Sequence, residues 1–151
     1  MKPKKRGMKR HTVLQPLSRH HMEALYLGVK LRRAGTEKST LTKEELIHEV
    51  KSFWNPNGER HFREEEEILL PTYAKYGDIE QKLIVDMLLE HVRIRSLVKT
   101  ITTETVDVET LHTLGELLET HIRKEERIIF PMIEKALPED VLQEMAPYIH
   151  D

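Results

Sequence analysis

The chain has 151 residues, of which 38% are hydrophobic, 5% aromatic and 33% charged, with a formal net charge of −2. That length suits one domain with one core, and the near-balance of charge removes any global argument for nucleic acid or an acidic substrate. The absence of cysteine excludes disulfides, thiolate zinc sites and iron–sulfur ligation, fits a cytoplasmic location, and leaves nitrogen and oxygen as the donors for any metal.

The scarcity of aromatics favours helices packed through Leu, Ile, Val and Met over a β-sandwich. No apolar run reaches membrane-spanning length. The N-terminus is basic at Lys2, Lys4, Lys5, Arg6, Lys9 and Arg10 with no apolar stretch behind it, so it does not have the form of a secretory signal. Residues 1–12 are expected to be a disordered tail and 13–151 the folded domain.

The first predicted helix runs from Pro16 to Ala34. Leu17, Ala24, Gly28 and Leu31 form its apolar stripe, beside His20 and His21, and Gly35 marks its end. A polar loop follows to Leu41. Thr42 and Glu45 then form a capping box for helix two, whose stripe is Leu46, Val50, Phe53 and Trp54. Asn55-Pro56-Asn57-Gly58 interrupts this helix, because proline removes a helical hydrogen bond and clashes with the preceding turn. The helix resumes through His61, Glu65, Ile68 and Leu69, with Pro71 bending its last turns and Gly77 stopping it.

Asp78 and Gln81 are expected to cap helix three, with Ile84, Leu88, His91, Ile94, Val98 and Ile101 inward. Asp107 opens helix four, with Leu111, Leu114, Leu118, His121, Glu125, Ile128 and Met132 inward. A short fifth helix from Leu137 to about Tyr148 covers one end. The predicted fold is all-α: an up-down-up-down four-helix bundle with a short C-terminal helix.

Two segments repeat. His61-Phe62-Arg63-Glu64-Glu65-Glu66-Glu67-Ile68-Leu69-Leu70-Pro71 matches His121-Ile122-Arg123-Lys124-Glu125-Glu126-Arg127-Ile128-Ile129-Phe130-Pro131 in its His, Arg, paired Glu, apolar triplet and Pro. Each segment closes a helix that follows one carrying an inward histidine: His20 or His21 on helix one, His91 on helix three. The chain is thus two copies of one motif, and a bundle built from it has approximate twofold symmetry.

Residues i and i+4 share a helix face, with Cβ atoms about 5–6 Å apart. His61 with Glu65, and His121 with Glu125, can therefore aim at one point. Burying four imidazoles and two carboxylates in a small core is costly unless something satisfies them. A pair of divalent cations does so, and this donor set without thiolate suits Fe, Mn or Zn. Taken singly, each histidine would be read as packed and each His–Glu pair as a surface contact, but their agreement across four helices is a poor match to chance.

Glu45-Leu46-Ile47-His48 and Glu109-Thr110-Leu111-His112 have the spacing of the Glu-x-x-His motif of ferritin-like di-metal proteins. At about 100° per residue, however, His48 and His112 fall near the opposite faces from His61 and His121, so both are taken as surface residues. His11 and His150 are assigned no role. Glu64, Glu66, Glu67 and Glu126 are expected to be solvated or to lie behind the ligands.

The pattern resembles the hemerythrin-like family, the HHE cation-binding domains, from Leu17 to about Ala136. Leu17-Ser18-Arg19-His20-His21-Met22-Glu23-Ala24-Leu25 is similar to the family's opening Leu-Ser-Arg-acidic-His-His-x-Ala-Leu. Aligned on Glu23-Ala24-Leu25, His21 falls on the ligand position and His20 on the usual acidic one. The blocks at His61 and His121 resemble the family's His-Phe-x-x-Glu-Glu, and Glu90-His91 its Glu-His. The resemblance implies a non-haem di-iron centre bridged by carboxylates. In oxygen-carrying members a second histidine lies one turn after the first on helix three, where this chain has Arg95. Their last motif also has a longer His-to-Asp spacing than His121 to Glu125. The four-His, two-Glu set is more similar to members linked to iron-centre repair or to iron and oxygen sensing.

The expected ligands are His21, His61, His91 and His121 as terminal donors, with Glu65 and Glu125 bridging. The expected partner is a small ligand such as O2, NO or peroxide. No nucleic acid or membrane partner is expected, and a homo-oligomer is possible. A redox enzyme or iron donor, in which Tyr26 could act as a redox or proton partner, is the second expectation. A metal that only holds the helices together is the third.

Overall fold

The computed structural model describes residues 9–151. Four long helical rods make the bundle, and two of them are interrupted. Rod one is α1 (Gln15–Arg32), preceded by a 3-10 turn at Thr12–Leu14. Rod two joins α2 (Lys43–Phe53), a π turn Trp54–Gly58, α3 (Glu59–Glu64), a second π turn Glu65–Leu69 and α4 (Leu70–Tyr73). Rod three is α5 (Lys82–Thr103). Rod four joins α6 (Val108–Lys124), a π turn Glu125–Ile129 and α7 (Phe130–Ala136). Helix α8 (Glu139–Met145) and a 3-10 turn Ala146–Tyr148 follow. None of these helices is long and apolar enough to cross a membrane.

The expected end signals operate at most positions. Pro16 sits in the first turn of α1, and Gly35 leaves the rod with φ +75, a left-handed backbone that only glycine adopts without strain. Thr42 Oγ1 accepts from the Glu45 amide at 3.1 Å while Glu45 Oε1 accepts from the Thr42 amide at 2.9 Å, a complete capping box contributing about 1 kcal/mol. Asp107 caps α6 through the Thr110 amide. The expected cap of α5 is different. Gln81 is the N-cap residue but makes no side-chain cap bond; its amide donates instead to the Asp78 carbonyl and the Tyr73 hydroxyl, and Asp78 accepts from the Glu80 amide. At the Pro56 break, Asn55 leaves helical geometry at φ −111, ψ 120.

Both copies of the repeat carry a π turn that begins at the inward glutamate. The Leu70 amide bonds the Glu65 carbonyl and the Phe130 amide bonds the Glu125 carbonyl, each five residues back. The following residues, Pro71 and Pro131, have no N–H to give the carbonyl four residues back and clash with it, so one extra residue is accommodated there. The inward stripe consequently slips by one position. Ile129 and Ile133 are buried while Ile128, expected inward, is 51% exposed. Ile68 and Met132 are only partly buried. In α5 the buried residue of the second turn is Met87 rather than Leu88.

The core forms two apolar layers. One contains Leu14, Leu17, Leu69, Leu70, Ile84, Met87, Ile129, Phe130 and Ile133, and α8 closes it with Leu142 and Met145. The other contains Leu27, Leu31, Leu46, Val50, Ile94, Val98, Leu111 and Leu114. The first takes the starts of rods one and three and the ends of rods two and four, which establishes the up-down-up-down order. The buried polar residues lie in sequence between the two layers on all four rods.

The basic segment expected to be a tail falls mostly on residues 1–8, outside the described region. Within its described part, Arg10 bonds Glu134 Oε1 at 3.0 Å and the Glu126 carbonyl at 2.6 Å. His11 caps the 3-10 turn through Nδ1 and pairs with Glu139 at 2.9 Å.

Candidate metal centre

The six expected ligands meet in one place. His21, His61, Glu65 and Glu125 form one group whose donor atoms lie within 4.8 Å of one another, and Glu65, His91, His121 and Glu125 form a second. The two groups share both glutamates. All six residues are at most 5% exposed.

The two carboxylates are placed to span both groups. Glu65 Oε2 lies 2.9 Å from His61 Nε2 and 3.3 Å from His21 Nε2, while its Oε1 lies 3.1 Å from His91 Nε2. Glu125 Oε1 lies 2.8 Å from His21 Nε2, while its Oε2 lies 2.9 Å from His121 Nε2 and 3.3 Å from His91 Nε2. Each carboxylate thus turns one oxygen toward each histidine pair.

The outer nitrogens determine the state of the inner ones. His91 Nδ1 donates to Glu66 Oε2 at 2.6 Å, His21 Nδ1 to Glu126 Oε2 at 2.5 Å, and His121 Nδ1 to Glu90 Oε1 at 2.8 Å. A carboxylate only accepts, so in each neutral ring the proton sits on Nδ1 and the Nε2 lone pair faces inward. There it meets carboxylate oxygens, lone pair against lone pair. Glu65 Oε1, Glu125 Oε1 and His121 Nε2 are buried with no hydrogen-bond partner among the described residues. Such buried acceptors are costly alone. A cation among them satisfies them all, so the donor set fits a metal.

The clustered charges also show in the proton affinities. Burial opposes charge on His21 and His91, but the hydrogen bonds their protonated rings donate to Glu125, Glu65 and the outer carboxylates prevail and raise both well above the usual histidine value. His121 is raised in the same way, chiefly by Glu125. Burial and mutual repulsion push Glu65 upward, yet the histidines around it hold its carboxyl far below the usual range, and Glu125 behaves alike. The cluster therefore favours positive charge at its centre.

Anchoring extends outward. Arg95, which occupies the position of a second histidine in oxygen carriers, holds Glu66 with two bonds of 2.7 and 3.1 Å. Lys124 holds Glu90, and Ser18 Oγ and Arg10 hold Glu126. Phe62 stacks on His91 with ring centroids 3.9 Å apart. The role of Glu90 was not assigned from sequence, although it directly precedes His91 as Glu66 and Glu126 directly follow the inward glutamates.

His20 is not among the convergent donors. Its Nδ1 lies 3.4 Å from His61 Nδ1, behind that ring, which separates it from His21. His48 is exposed. His112 is not an idle surface residue: its Nε2 donates to the Ala34 carbonyl at 2.7 Å, tying α6 to the end of rod one. His150, assigned no role, donates through its backbone amide and Nδ1 to the buried Glu64. Tyr26 is 70% exposed, beneath Lys30, and does not face the donors.

The family model described as the hemerythrin HHE cation binding domain matches residues 12–133. No curated protein and no solved structure matches the chain significantly.

Proposed function

The chain belongs to the hemerythrin HHE cation-binding family, and we propose that it is a non-haem di-iron protein that senses or handles O2, NO or peroxide. The observation that carries this reading is the pair of four-donor groups sharing Glu65 and Glu125. His21 and His61 serve one ion, His91 and His121 the other, and the two glutamates bridge. Zinc has no redox chemistry, whereas iron combines these donors with reversible redox change and small-ligand exchange.

Two imidazoles and two shared carboxylates per ion leave coordination positions for a diatomic molecule or peroxide. Arg95 is committed to Glu66 and supplies no fifth donor. Apolar layers lie on both sides of the donors and limit their contact with bulk water. Iron supplies the redox change. The protein holds three of the four imidazoles by their outer nitrogens, and the two carboxylates reach both helix pairs.

The test is to load the protein anaerobically with Fe(II) and record its visible spectrum on adding O2, NO or peroxide. A spectral change saturating at a fixed ratio of ligand to iron pair supports handling of that ligand. Continued consumption of ligand supports the redox-enzyme reading instead. A loaded, stable protein with no response to any of the three leaves a structural metal, a reading that the near-complete burial of the six donors would then favour.

A further inference from the structure

The repeat makes the two ion positions look equivalent, but the groups behind the ligands are not. Three of the four inward histidines are backed by a carboxylate at 2.5–2.8 Å, and each carboxylate is held by a cation, with a serine added at Glu126. The fourth, His61, has only the His20 ring, 3.4 Å away. At that distance a hydrogen bond is weak, and a neutral imidazole polarises its neighbour far less than a carboxylate does.

The cause is one residue in the repeat. Glu90 immediately precedes His91 and backs His121, the ligand on the next rod. The residue in the same place before His21 is His20, and it backs His61. The asymmetry is thus local to the His21–His61 position.

A second observation concerns access. A cavity beside α1 and the Pro56 break is lined by the exposed residues Glu23 and Asn57 as well as by His20, His21 and His61. Both histidines of the first position line it, whereas of the second position only His121 does and the fully buried His91 does not.

Resting on the two-ion reading above, we propose that the two positions are unequal: the ion held by His21 and His61 binds more weakly and exchanges first, and His20 is the positioning residue that makes it so. Loss of a carboxylate behind a ligating histidine typically lowers metal affinity about 10–100-fold, and a difference of that order is expected between the positions. The cavity touches both histidines of that position and only one of the other, which agrees with the same order of exchange.

The experiment follows metal release from the fully loaded protein to excess chelator. Two phases of one ion each are expected, with rates about tenfold or more apart. A crystal structure of protein stopped after the first phase should show the remaining ion, by anomalous scattering, between His91 and His121. H20E should slow the fast phase alone, while E90Q, which removes the charge behind His121, should speed the slow phase and bring the two rates together. E90Q also serves if H20E does not fold. Release of both ions in one phase, retention of the ion at His21 and His61, or E90Q acting on the fast phase alone overturns the proposal. A chain that never takes up two ions defeats the two-ion reading itself, which single-phase release of two ions does not.

Discussion

Gly28 and Gly115 face each other where α1 crosses α6. A Cβ on Gly115 would lie 2.8 Å from the Gly28 carbonyl oxygen and 3.1 Å from the Arg32 amide nitrogen, while one on Gly28 would lie 3.2 Å from the Gly115 carbonyl. The two backbones therefore approach too closely for a Cβ on Gly115 to fit without a shift. The crossing stands seven residues beyond His21 and six before His121, and it helps fix the spacing of the rods that carry those histidines.

Gly115→Ala gains about 1 kcal/mol of helix propensity but meets rigid backbone, and overpacking of this kind costs about 1–3 kcal/mol. The net expectation is destabilisation, larger than for Gly28→Ala, with the rods pushed apart at the centre. Denaturant melts of both variants, with and without metal, check this. Equal and unchanged midpoints would show that the helices part freely.

The shared glutamates and the terminal histidines should behave differently on substitution. Glu125→Gln removes a charge common to both donor groups and should reduce the content of both ions. His61→Ala touches only the group formed with His21 and should leave close to one ion per chain. Metal analysis after equilibrium dialysis separates the outcomes. If both variants lost metal to the same extent, the division into two positions would be wrong.

Arg95→Ala should act through Glu66. Removing the guanidinium frees that carboxylate from two hydrogen bonds and loosens its hold on His91 Nδ1. The expected effect is up to about tenfold weaker metal binding, at the low end of the range for groups behind a ligand. Fold stability of the metal-free protein should change by less than about 1 kcal/mol, because the Arg95–Glu66 pair is partly solvent-exposed. Competition against a chelator of known affinity measures the first and urea melts the second.

The pH dependence should reverse on metal binding. Without metal, His21 and His91 have folded-state pKa values well above 6.5. Their contribution to stability is full below 6.5 and is lost as pH rises through the raised values. Glu65 and Glu125 have values below 4.5; their contribution is full above 4.5 and is lost as pH falls through the lowered values. The metal-free protein should therefore be most stable between these limits, on the acid side of neutrality. Metal must displace the imidazole protons, so binding near pH 7 should release protons and tighten as pH rises. Thermal melts across pH, with and without metal, should give maxima displaced in opposite directions; coincident maxima would contradict the assignment.

The fold was largely legible because its signals are local. The Thr42 box, the Asp107 cap, Pro16, Gly35 and the Asn55-Pro56 break depend on a few neighbouring residues each. The convergence of His21, His61, Glu65, His91, His121 and Glu125 was legible because i,i+4 pairs on apolar stripes have few other uses when repeated. Two things were not. The π turns shift the stripe after Glu65 and Glu125, and a fixed helical period carried Ile128 inward although it is exposed. The pairings of His91 with Glu66, His21 with Glu126 and His121 with Glu90 join residues on different rods. Their geometry depends on how the rods rotate against one another, which periodicity along one helix does not report. The interaction of His112 with Ala34 escaped for the same reason.

The most direct test of the account is metal stoichiometry: anaerobic titration of the metal-free chain with Fe(II), with iron counted per chain and the near-ultraviolet spectrum recorded after oxidation. Two irons per chain, with iron absorption that is lost on reduction, is the predicted result. One ion or none at saturation, in a protein that remains folded, would contradict it.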